Sequence, residues 1–159
     1  MGRKATKAGS NIFYQAREEA MKKKPEFSSR EKTSDVVGID RTRLARIELS
    51  EIVPYPDEVN KLAAVYEMPE LCNQYCNEIC AIGAVTAKRV RLENLDRMIL
   101  EMLGALKSIS DVEGSLIDIT ADGMVDETER AEFHRILKVL SDISEKTQAL
   151  ELWAKKNLK

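Results

Sequence analysis

Residues 29–48 read SREKTSDVVGIDRTRLARIE, and the spacing inside them decides the fold. A small residue, Ser34, is followed after three positions by Gly38, after five more by Leu44 and after two more by Ile47. A small side chain lets two helices approach, and a glycine takes the left-handed residue of a tight turn. Two apolar residues a helical turn apart anchor the second helix and leave its other face free. This is the spacing of a helix-turn-helix, with Ser34, Gly38, Leu44 and Ile47 as scaffold. Ser28 and Ser29 offer an N-cap for the first helix, which should stop at Gly38, and Asp40 caps the second, from Arg41 to about Leu49. Arg41, Thr42, Arg43 and Arg46 crowd the start and free side of that second helix.

Outward from this stretch, Ile12, Phe13, Ala16, Ala20 and Met21 repeat at helical spacing from Asn11 to the run Lys22, Lys23 and Lys24, where Pro25 ends the pattern. On the other side, IVPYPDEVNKLAAVYEMPEL supplies Pro54 and Pro56 as breakers and Val59, Leu62, Ala63 and Tyr66 as a buried stripe. Pro69 restarts the chain as a fifth helix, expected to reach about Ile82 before Gly83. Beyond it, Leu92, Leu95, Ile99, Met102, Leu106 and Ile109 step by three and four, predicting one long amphipathic helix. A turn at Asp122 and Gly123 precedes a second such helix, from about Asp126 through Phe133, Ile136, Leu140, Ile143 and Leu150, with Leu152 and Trp153 closing against Val90 or Leu92. Gly104 and Gly114, unfavourable inside a helix, point to close packing or a bend.

The chain is therefore expected to be all-α. A five-helix helix-turn-helix domain would occupy residues 1–84, its first ten a flexible basic arm, and a long antiparallel helical hairpin residues 85–159. With 5% aromatic residues, 7 Gly and 4 Pro, the composition does not suit a large β-structure, and 43% hydrophobic residues set it apart from disordered chains. The hairpin leaves an apolar stripe that needs another surface. A second copy is the expected cover, through Leu95, Ile99, Met102, Leu106, Ile136, Leu140 and Ile143, and another protein is the alternative.

Charge is unevenly distributed. Residues 1–53 carry 12 Lys and Arg against 8 Asp and Glu, whereas the remainder carries 13 against 19. A polyanion partner would thus meet the N-terminal part. Arg suits guanine, reaching O6 and N7 together; Arg30 and Lys22 to Lys24 can meet phosphates, and Arg3, Lys4 and Lys7 can form an arm along DNA.

The segment from Asn11 to Gly83 resembles the Cro/CI repressor-type (XRE) helix-turn-helix transcriptional regulators. SREKTSDVVGIDRTRLARIE, Pro54 and LAAVYEMPEL carry the resemblance. LCNQYCNEICAIG and LELWAKKN add a likeness to regulators of Gram-positive bacteria and their mobile elements. The resemblance implies a dimer reading operator double-stranded DNA. Arg41, Thr42 and Arg46 match base-contacting positions, Arg43 and Arg30 match backbone contacts, and Arg17 and Glu48 match a structural ion pair. Thr33 stands where the family usually buries Leu, and Ser50 where Gly is frequent.

No nucleophile and base form a recognisable motif and no glycine-rich phosphate loop occurs, so neither an enzyme nor a cofactor is expected. No apolar run approaches the roughly 20 residues that cross a bilayer, and MGRKATKAGSNIF lacks the apolar segment of a secretion signal. The expectation is a cytoplasmic protein with no membrane partner. Cys72, Cys76 and Cys80 recur every fourth residue. Spread over about 12 Å of helix, they are too far apart to share one zinc with His134, so no metal is expected there. In DITADGMVDETE, residues Asp118, Thr120, Asp122, Gly123, Val125 and Glu129 fit a calcium loop except for the threonine. Asp126 and Glu129 also make a capping box for the following helix, and that use is preferred.

Overall fold

A computed structural model describes residues 8–119 and 124–158. Every regular element among them is helical, and the chain divides into two compact units, Met1–Arg89 and Val90–Lys159. No helix among the described residues is long and apolar enough to cross a membrane.

In the first unit, helix α1 (Ile12–Lys23) starts where the Asn11 side chain accepts from the amides of Phe13 and Tyr14. Pro25 then opens a single 3-10 turn, Pro25–Ser28, that delivers Phe27 into the core. Ser29 caps α2 (Arg30–Val37), and Gly38 ends it at φ +70°, a left-handed conformation that glycine adopts without steric cost. Asp40 caps α3 (Arg41–Glu48) by accepting from the amides of Thr42 and Arg43. Helix α4 (Pro56–Val65) opens on the second of the two predicted prolines. Phe13, Phe27, Leu44, Ile47, Val59, Leu62 and Leu71 are all at most 1% exposed. Each such side chain contributes about 1.5–3 kcal/mol through its burial. Thr33 is fully buried among them, its hydroxyl satisfied by the Ser29 carbonyl at 2.8 Å.

Several expectations are corrected. Helix α5 (Glu70–Glu78) is shorter than predicted, because the amides of Ile79 and Cys80 converge on the Tyr75 carbonyl and the ladder stops there. Cys80 therefore lies off the helix that carries Cys72 and Cys76. Gly83 does not follow α5 but opens the one-turn α6 (Gly83–Thr86); a Cβ there would stand 2.1 Å from the Cys76 carbonyl oxygen, so only glycine allows this approach. The first unit also runs past residue 84. Asn73 and Asn77 donate to the carbonyls of Lys88 and Ala87 at 2.8 and 2.9 Å, and Arg89 pairs with Glu78. At the other end, Ala8 is fully buried and Gln15 donates to the Gly9 carbonyl, so residues 8–10 are not free arm. Arg3, Lys4 and Lys7 lie outside the described residues.

In the second unit the first long helix is divided into α7 (Leu95–Ser110) and α8 (Glu113–Ile119). The amides of Asp111 and Val112 reach back only three residues, to Ser108 and Ile109, which tightens and ends the helix. Val112 is thereby buried with Ile119 and Ile136. The glycines do not mark the break, and a Cβ at Gly104 or Gly114 would meet nothing within 4 Å. Helix α9 (Arg130–Asn157) begins later than expected, although the Asp126 box is formed: Asp126 accepts from the amides of Thr128 and Glu129, and Glu129 accepts from that of Asp126. Val90 and Met98 pack with Ala149, Leu152 and Trp153, and Glu101 pairs with Lys146 at 3.1 Å. With Val112 beside Ile136, α9 runs opposite to α7. Ile136 is wholly buried inside this unit, which removes it from the expected subunit seam.

Tyr66 meets Phe27 edge-on at 5.2 Å, and its hydroxyl is buried with no hydrogen-bond partner among the described residues. Burial pushes its pKa well above the ordinary phenol value. Removing an unsatisfied buried hydroxyl should help, so Tyr66→Phe is expected to raise unfolding stability by about 1 kcal/mol. Urea denaturation measures this, and a comparable loss would contradict it.

Candidate nucleic-acid interface

Helices α2 and α3 pack at the turn around Gly38, where the Ser34 hydroxyl donates to the Ile39 carbonyl at 2.7 Å. Leu44 and Ile47 face the core, so α3 presents its opposite side to solvent. Arg41 and Thr42 are exposed on that side, at the helix start. With Ser29, Arg30, Glu31 and Ala45 they line an open notch of about 410 Å³ between the first turns of α2 and α3. Guanidinium donors, hydroxyls and one carboxylate thus surround a space bounded by two helix N-termini. Such a surface can donate to phosphate and to base acceptors.

Arg46 lies further along α3 with its side chain half exposed, its Nε 3.6 Å from the Glu51 carboxylate. Two other α3 and α2 cations are committed inside the unit. Arg43 forks onto the Glu58 carboxylate, with Nη2 to Oε2 at 2.8 Å, and its guanidinium lies 4.6 Å over the Tyr55 ring. Arg30 donates through Nε to Glu48 Oε2 at 2.7 Å. The same carboxylate receives Arg17 through Nε at 2.6 Å and Nη2 at 3.1 Å, and Arg17 also donates to the Phe27 carbonyl. Of the lysine run, Lys22 pairs with Glu19 and Lys24 with Glu67, while Lys23 is exposed. The exposed face therefore assembles Arg41, Thr42 and Arg46; Arg43 serves as an internal tie, and Arg30 both ties Glu48 and edges the notch.

Composition could not reveal these ties. Arg43 and Glu58 are 15 residues apart and Arg30 and Glu48 are 18 apart, beyond any helical period. Tyr55, more than half exposed with the Arg43 guanidinium over its ring, lies equally outside any helical period shared with α3. Among the described residues no group of His, Cys, Asp and Glu could hold a metal ion. The thiols pack against the core, with Cys72 donating to Asn60 Oδ1 and Cys80 accepting from the Gly83 amide. Of the calcium-loop positions, Thr120, Asp122 and Gly123 lie outside the described residues. The chain matches no protein-family model, no curated protein and no solved structure.

The Arg43 hydrogen bond, reinforced by the Tyr55 amide, holds the Glu58 carboxyl below its ordinary value of 4.5. A depressed folded-state pKa means that the pairing stabilises fully above that ordinary value and fades as pH falls through the lower one. Glu58→Gln should therefore cost stability near neutral pH and flatten the acid limb of the stability curve. Denaturation midpoints measured from pH 7 to pH 3 check this; parallel curves for both proteins would contradict it.

Proposed function

We propose that the chain is a sequence-specific DNA-binding transcriptional regulator. More particularly, it is a dimeric repressor of the Cro/CI (XRE) type that reads an inverted-repeat operator through the major groove, α3 serving as recognition helix. The observation that carries this reading is the exposed row Arg41, Thr42 and Arg46 on a helix whose other side is anchored by Leu44 and Ile47 behind a left-handed Gly38. Arg41 and Arg46 read base edges with Thr42 beside them. The notch at the start of α2 takes backbone phosphate, and Lys23 adds sequence-independent attraction.

Dimerisation falls to the second unit, read as a helical hairpin. Ile99, Leu103 and Leu106 on α7 and Leu137 and Leu140 on α9 are each 38% exposed or more. At about 100° of rotation per residue, both rows fall on the same flank of two antiparallel helices. That flank is a ready apolar face for a second copy, with half-buried Leu95, Met102 and Ile143 along its edge. Two copies pairing there as a four-helix bundle would present two recognition helices to successive major grooves, about 34–36 Å apart.

Selection of bound sites from a random DNA pool at about physiological salt tests the reading. Enrichment of an inverted repeat is expected. Arg41→Ala and Arg46→Ala should each cost about 1–3 kcal/mol and relax base preference, whereas Lys23→Ala should weaken all sequences alike. No enrichment by a folded dimer would favour a protein-interaction module instead. Sedimentation of the full chain should show a dimer that Leu103→Glu with Leu140→Glu converts to monomer; a monomeric wild type at micromolar concentration would remove the dimer.

A further inference from the structure

Helix α3 ends in a turn that its composition does not favour. Ser50 sits at φ +59°, a left-handed conformation costly for any residue with a Cβ. The amide of Ser50 bonds the Ile47 carbonyl at 3.0 Å, and that of Glu51 bonds the Arg46 carbonyl at 2.9 Å. This pairing caps the helix and normally has glycine at the left-handed position. It also folds the chain back so that the Glu51 carboxylate comes within 3.6 Å of Arg46.

Asn11, far away in sequence, holds this turn. Its amide nitrogen donates to the Ile47 carbonyl at 2.8 Å and to the Ser50 hydroxyl at 3.0 Å. Its amide oxygen accepts from Phe13 and Tyr14. Backbone amides only donate and carbonyls only accept, so the orientation of this side chain is determined. One residue thus ties the start of α1 to the end of α3.

We infer that Asn11 is a positioning residue for DNA reading, setting the C-terminal end of α3 and hence the reach of Arg46. The inference rests on the proposal that α3 is the recognition helix. Burial of Leu44 and Ile47 and the Arg17 and Arg30 bonds to Glu48 hold α3 in place and fix its rotation, but they do not reach the left-handed turn that follows Glu48. Directional bonds to Ile47 and Ser50 restrain that turn, one residue to either side of the Glu48 and Leu49 pair that closes the helix. Arg41, at the other end, opens the turn that Asp40 caps through the amides of Thr42 and Arg43, and makes no bond to Asn11.

Asn11→Asp separates the two halves of the side chain, since Asp caps α1 as well as Asn does but cannot donate. In the full-length protein, amide exchange at Phe13 and Tyr14 should stay slow while Glu51 and Ile52 exchange faster. Selection from the random DNA pool should then show preference at the base assigned by Arg46→Ala relaxed by roughly three- to tenfold, the worth of one or two lost hydrogen bonds. Preference at the base assigned by Arg41→Ala should be retained. Adding Ser50→Gly, which needs no external help to stay left-handed, should restore both exchange and preference. Unchanged exchange at Glu51 and Ile52, an equal loss at both bases, or no recovery with Ser50→Gly would each overturn the role. A wild-type chain that enriches no sequence sinks the regulator reading and this role together. A selective wild type with an unresponsive Asn11→Asp sinks this role alone.

Discussion

Glu48 is completely buried, yet it carries a carboxylate near the end of the helix that presents the exposed arginines. A buried charge is tolerated only when paired and hydrogen-bonded, and removing one partner of such a pair costs about 3–5 kcal/mol. Here the partners are Arg17 from α1 and Arg30 from the first turn of α2. Three helices therefore converge on one carboxylate, and none can shift without stranding charge. At the other end of α3 the Arg43 fork onto Glu58 ties the helix to α4. Apolar contacts at Leu44 and Ile47 bury α3, while these polar ties fix its rotation about its own axis.

The first unit was most legible where structure is local. Ser29 and Asp40 as caps, Gly38 as terminator and the prolines at the start of α4 act within a few residues, so their effects show in sequence order. The early end of α5 was not legible, because nothing at Glu78 or Ile79 distinguishes a last turn from a middle one. The ladder stops where the amides of Ile79 and Cys80 share the Tyr75 carbonyl, and Gly83 then closes on Cys76 seven residues earlier, a local geometry that no apolar spacing announces. Likewise the break in the second unit falls not at a glycine but at Asp111 and Val112, whose amides reach back only three residues and whose composition does not announce it. An expected seam that included Ile136 treated one apolar stripe as a single surface, whereas part of it faces α9's own partners and part faces solvent.

The site was legible as a set of residue types and illegible as a division of labour. Every cation near α3 looks alike in sequence, but the carboxylates that claim Arg30 and Arg43 arrive from distant segments. The consequence is electrostatic. Cations already paired exchange one anion for another on meeting DNA and release fewer condensed counterions than their number suggests. On the proposed function, affinity would then rest more on base edges and shape than on bulk charge, with a shallow dependence on salt.

Among the described residues the second unit has two small buried clusters, Val90 with Met98 and Ala149 at one end and Val112 with Ile119 and Ile136 at the other. Between them the apolar side chains of α7 and α9 stay largely open. Whatever covers these exposed side chains stabilises the pair of helices in proportion to how tightly it binds. With a second copy as the cover, the folded population of this unit becomes a function of chain concentration. The abundance of the protein would then act as an input in its own right, sharpening the response to synthesis and dilution without any ligand.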